Sequence, residues 1–99
     1  MYRDIISYEL AEGVSHDHLL KVAQKVTRDW MKKQPGFMSW KISKAEDGTY
    51  CDIVSWTSKE AAKIAEAKMG EIPTATDWFA CYKEGTISGK KLVHLGTFR

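Results

Sequence analysis

Apolar and polar residues alternate along three stretches of the chain and recur at helical spacing along two others. In residues 2–10, Tyr2, Ile6, Tyr8 and Leu10 oppose Arg3, Ser7 and Glu9, which predicts a first strand. Ile5 breaks the alternation, so neither face of that strand is simply in water. Ser15 is a good N-cap, Asp17 suits the positive end of a helix, and Val14 with Leu19 forms a hydrophobic staple. Leu19, Val22, Ala23, Val26 and Trp30 then share one helical face, predicting a helix of about four to five turns that reaches Lys32. Pro35-Gly36 stops it.

The middle of the chain reads as a hairpin between two helices. Residues 37–45 form a strand, Glu46-Asp47-Gly48 a turn, and residues 49–56 a second strand rich in aromatic and β-branched residues. Thr57-Ser58-Lys59-Glu60 reads as a capping box that opens a helix over 58–69. Its buried stripe is small: Ala61, Ile64, Ala65 and Lys68 or Met69. After Gly70 and Pro73, Thr74 or Thr76 caps a short third helix over 77–83, and Leu92-Val93-His94-Leu95 anchors a last strand reaching toward Phe98.

The order β-α-β-β-α-(α)-β is the ferredoxin-like split βαβ arrangement, an α+β fold whose antiparallel strands lie in the order 4-1-3-2. At 99 residues the chain forms one domain, 1–99, with little spare core, so a dimer interface offers a second place to bury apolar surface. Strands one, three and four carry apolar residues on both parities, which predicts an isologous homodimer.

Composition narrows the function. A net charge of +2 with scattered cations leaves no electrostatic footprint for nucleic acid. The third strand carries Asp47 and Asp52 where an RNA-recognition sheet needs cations and stacking rings. No secretory signal or membrane-length apolar run occurs, and the expected location is cytoplasmic, with Cys51 and Cys81 as free thiols. His16 and His18 stand two apart and diverge on a helix, and the cysteines lie thirty residues apart, so no metal is expected.

A resemblance adds to this. Pro35-Gly36, Ser39-Trp40 and Trp56-Thr57-Ser58-Lys59-Glu60-Ala61, in that element order, resemble the antibiotic-biosynthesis-monooxygenase type of dimeric α+β barrel over residues 5–69. The resemblance implies a homodimer of facing sheets, a cavity between each sheet and its helices, and for some members oxygenation of aromatic or polycyclic substrates without metal or flavin. The chain departs from such oxygenases in containing no asparagine, so an Asn contact cannot be carried over. It also lacks the second-helix histidine of haem-degrading relatives, having Lys63, Ile64, Ala65 and Glu66 there.

Among candidate site residues, Asp52 shares a face with Tyr50, Val54 and Trp56 on an interior strand. It is either a general base for a phenolic or enolic substrate or an ion-pair partner across the dimer interface. His94 is the second candidate base, or else a core histidine, and a ligand over Tyr8 would meet both. Tyr8, Tyr50, Trp30 and Trp56 would hold an aromatic ring, while Trp30, Trp40, Trp78, Phe79 and Tyr82 read first as core or interface and second as cavity lining. Cys81 lacks a visible base. The expectation is a cofactor-free binder of a small, aromatic molecule, either a monooxygenase or a non-catalytic homodimer.

Overall fold

A computed structural model describes residues 1–99 and contains the elements β1 (Tyr2–Tyr8), α1 (His16–Asp29), β2 (Phe37–Lys44), β3 (Tyr50–Trp56), α2 (Lys59–Ala67), α3 (Ala75–Phe79) and β4 (Ser88–Val93). The strands form one antiparallel sheet in the order β2-β3-β1-β4, the expected 4-1-3-2 arrangement. No helix is long and apolar enough to cross a membrane.

Even-numbered residues of β1 and β3 face the helices, with Tyr2, Tyr8, Tyr50, Asp52, Val54 and Trp56 all buried there. Leu19, Val22, Ala23 and Val26 of α1 complete that core. The Ser15 side chain accepts from the His18 N–H at 3.1 Å and caps α1. The helix ends before Lys32: Trp30 leaves helical geometry at φ −140°, and Met31–Lys33 make a 3₁₀ turn.

Several elements depart from the sequence reading. In α2 the N-cap is Ser58, which accepts from the Ala61 N–H at 3.1 Å. The third helical residue is then Ala61, so Glu60 is out of step for a capping box. The buried α2 residues are Ala62 and Ala65, while Ile64 is exposed. Ala61, next to that stripe, approaches Gly36: a Cβ on Gly36 would meet the Ala61 Cβ at 2.6 Å. β1 stops at Tyr8, and the chain beyond it turns to the segment after α3 through Lys83 N–H to Glu9 O and Ala11 N–H to Cys81 O, both 2.9 Å.

β4 starts earlier than expected and ends at Val93. Val93 pairs with Tyr2, and the His94 N–H donates to the Met1 carbonyl at 3.1 Å, after which β1 supplies no more partners. The other sheet face carries Arg3, Ile5, Ser7, Lys41, Cys51, Ile53, Lys90 and Leu92. It is therefore mixed, with Ile5, Ile53 and Leu92 as its apolar centre. Larger unsatisfied apolar surface lies past β4, where Leu95 is 96% and Phe98 95% exposed.

Candidate active site

Trp30 at the end of α1, Trp40 on β2, Trp56 on β3 and Trp78 on α3 converge between the sheet and the helices. These are all four tryptophans of the chain. They line a cavity of about 620 Å³ with Met31, Ala62, Ala65, Met69 and Asp52. The alanines of α2 make the space: larger residues at positions 62 and 65 would fill it. Trp40 and Trp78 lie 5.2 Å apart between ring centroids, and Trp56 meets Phe37 edge-on at 5.7 Å. At the rim, Lys91 on β4 reaches both Asp4 and Glu66 at 3.3 Å.

Asp52 is the polar group in this aromatic wall, and it is 1% exposed. Its Oδ1 accepts from the Tyr8 hydroxyl at 2.6 Å and its Oδ2 from the Tyr82 hydroxyl at 2.6 Å. The Trp78 Nε1–H, which can only donate, binds the Tyr82 oxygen at 3.0 Å. The Tyr82 oxygen accepts there, so its proton is directed at the carboxylate. The two tyrosine rings stack at 4.2 Å. Trp40 Nε1 lies near enough to favour the charged carboxylate but makes no well-aligned hydrogen bond. The indole N–H groups of Trp30 and Trp56 also lack partners.

Burial pushes the Asp52 carboxyl above its ordinary 3.8, and the donors Tyr8, Tyr82 and Trp40 offset part of that shift. Burial first, then the adjacent Asp52, raises both tyrosines well above their ordinary 10.0. Alkaline stability follows from the sign of that shift. Above pH ~10 the unfolded chain releases the protons that folded Tyr8 and Tyr82 keep, so this contribution is whole below pH 10 and falls above it by about 1.4 kcal/mol per unit for each tyrosine. Asp52 contributes in the acid range, where stability declines as pH rises from its ordinary value through the raised one. Urea unfolding between pH 9 and pH 11 should therefore show a fall that Tyr8→Phe makes shallower.

Of the residues singled out from sequence, Asp52, Trp30 and Trp56 line the cavity together. Tyr8 and Tyr50 do not: Tyr8 lies behind Asp52 as its hydrogen-bond donor, and Tyr50 stacks on Tyr8 at 5.9 Å. A ligand over Tyr8 would not meet both His94 and Asp52 as expected. Asp52 aligns with Ile6 and Gly89, and His94 is five residues farther along, roughly 17 Å at strand spacing. His94 is exposed and contacts Thr97 at 2.9 Å. Nor does Asp52 reach the other sheet face, where a cross-subunit cation would have to stand. Trp40, Trp78 and Tyr82, read from sequence first as core or interface, belong to this site, Tyr82 through its bond to Asp52. No three His, Cys, Asp or Glu side chains converge as metal ligands would.

No family sequence model matches the chain, and no curated protein matches it by sequence. Solved structures do match it. SnoaB, a cofactor-independent oxygenase from Streptomyces nogalater, superposes with a TM-score of 0.76 at 20% identity, over 97% of this chain and 94% of that one. A monooxygenase from the gene ActVA-Orf6 of Streptomyces coelicolor, in complex with nanaomycin D, matches with a TM-score of 0.69 at 14% identity, over 99% and 90%. A conserved protein from Methanosarcina mazei Go1 matches with a TM-score of 0.69 at 7% identity, over 92% and 89%. The fold is that of antibiotic-biosynthesis-monooxygenase-like proteins, as the Pro35-Gly36 and Trp56–Ala61 motifs implied.

Proposed function

We propose that the chain binds a planar polycyclic aromatic molecule between its four tryptophans and removes a proton from it with Asp52, opening it to cofactor-independent oxygenation. The observation that carries this reading is a buried carboxylate set among the tryptophans and alanines of the cavity wall, apart from the charged rim of Asp4, Glu66, Lys90 and Lys91. Four lone-pair sites on its two oxygens, two of them taken by Tyr8 and Tyr82, leave capacity for a substrate proton. Desolvation makes it a stronger base than a carboxylate in water. Trp30 and Trp56 hold the ring, with Trp40 and Trp78 closing the other wall. The nearby SnoaB and ActVA-Orf6 folds, an oxygenase and a monooxygenase, support the reaction class.

The tryptophans themselves test the binding step. A polycyclic phenol such as a hydroxyanthracene should quench their fluorescence saturably, and Ala65→Phe, which fills the cavity, should abolish the effect. Unsaturable quenching that Ala65→Phe leaves unchanged would remove the reading. A non-catalytic binding protein is the second reading, favoured by the tyrosines that already satisfy both Asp52 oxygens. It gives the same quenching with no turnover.

The proposed assembly is a homodimer. Exposed Leu95 and Phe98 and the Ile5–Ile53–Leu92 centre of the outer sheet face support it. Arg3, Lys41 and Lys90 on that face weaken a purely apolar contact. Sedimentation equilibrium at micromolar protein should give twice the chain mass; the monomer mass alone would exclude the dimer.

A further inference from the structure

We propose that Tyr8 and Tyr82, sharing the Asp52 carboxylate, form a proton-coupled redox site that reduces one-electron oxidants arising in the cavity. Oxidising a phenol by one electron turns its hydroxyl into a strong acid, so the step is easy only where a base already holds the proton. Here each hydroxyl lies 2.6 Å from an oxygen of the same buried carboxylate. Water is excluded from the carboxylate, which keeps the transferred proton where it lands and allows it to return.

The connection to the cavity is equally direct. Trp78 lines the cavity and its indole N–H binds the Tyr82 oxygen at 3.0 Å. Trp40, also in the wall, is 5.2 Å from Trp78. Tyr82 stacks on Tyr8 at 4.2 Å, so an electron hole on one ring is shared with the other. Tyr8 is 1% exposed, which protects a phenoxyl radical there from coupling with other molecules.

The step balances as follows. A peroxyl radical in the cavity takes one electron and becomes a hydroperoxide anion. Tyr82 loses that electron, its hydroxyl proton passes to Asp52, and the products are a neutral phenoxyl radical and a protonated carboxyl. A later one-electron donor reverses both transfers. The proposed oxygenase reading supplies the oxidant in nature, but the tyrosine chemistry is testable without it.

The full chain is flash-oxidised by a photoexcited ruthenium polypyridyl complex with a sacrificial acceptor, and radicals are followed by transient absorption and electron paramagnetic resonance. In the native protein indolyl radicals should give way to a phenoxyl radical. In Asp52→Asn that conversion should slow by about a hundredfold or more, the scale of a positioned proton acceptor. The double variant Tyr8→Phe with Tyr82→Phe, which keeps the carboxylate, should leave the hole on tryptophan, and Tyr2→Phe should change nothing. Circular dichroism confirms that each variant is folded. Equal phenoxyl yield and rate in native protein and Asp52→Asn would overturn the proposal, as would indolyl radicals alone in the native protein. Either result leaves the ligand-binding test unaffected.

Discussion

Asp52→Asn should lower turnover of a polycyclic phenol about a hundredfold or more while leaving the protein folded. The asparagine oxygen still accepts from one tyrosine, and its NH₂ group can donate to the other phenolic oxygen. Loss of a desolvated charge offsets the loss of two charge-assisted bonds, so stability should move by only about 1 kcal/mol. Asp52→Ala is the contrasting case. It strands the buried Tyr8 and Tyr82 hydroxyls, at about 1–3 kcal/mol for each unsatisfied group. Urea unfolding and chromatographic turnover on both variants separate the roles. A large stability loss in Asp52→Asn with unchanged turnover would make the carboxylate purely structural.

Gly36→Ala should destabilise the fold by about 2–5 kcal/mol, through two additive causes. Gly36 has φ +84°, a left-handed conformation that costs an L-residue about 1–2 kcal/mol. The new Cβ would also stand 2.6 Å from the Ala61 Cβ and 2.7 Å from Thr57 Oγ1. Both neighbours lie at the start of α2, where the Gly36 carbonyl accepts from the Thr57 N–H at 2.8 Å. Relief of the clash would push α2 away from the sheet, and with it the Ala62 and Ala65 wall of the cavity. Gly48 provides the internal control, having φ +91° but open space around it. Gly48→Ala should cost the conformational part only, and the difference between the two variants in urea measures the close approach. Equal losses would mean that α2 yields freely.

The strand and helix order was legible because each element's apolar period matches its partners. The β3 pattern placed Tyr50, Asp52, Val54 and Trp56 on one face, but alternation alone left open whether that face meets the helices or a partner sheet; in the structure it meets the helices. The partners of that carboxylate were not legible. Tyr8 and Tyr82 lie 44 and 30 residues away in sequence, and no local pattern distinguishes them from core tyrosines. Tyr82 arrives only because the segment after α3 bridges to Leu10. His94 was misplaced for a simple reason: apolar neighbours suggested a strand centre, whereas the β1–β4 ladder has its last pair at Tyr2 and Val93. The polar run Ser88–Lys91, ahead of the expected anchor Leu92–Leu95, is also strand, as an edge strand can stay solvated.

Base action by Asp52 is tested most directly without oxygen. An aryl ketone with an acidic ring methylene, such as an anthrone, is held in D₂O under anaerobic conditions, and deuterium entry at that carbon is followed by nuclear magnetic resonance. The native protein should accelerate exchange catalytically, and Asp52→Asn should lose about a hundredfold of that acceleration. No acceleration by a native protein that binds the ketone, or equal acceleration by Asp52→Asn, would contradict proton abstraction by Asp52.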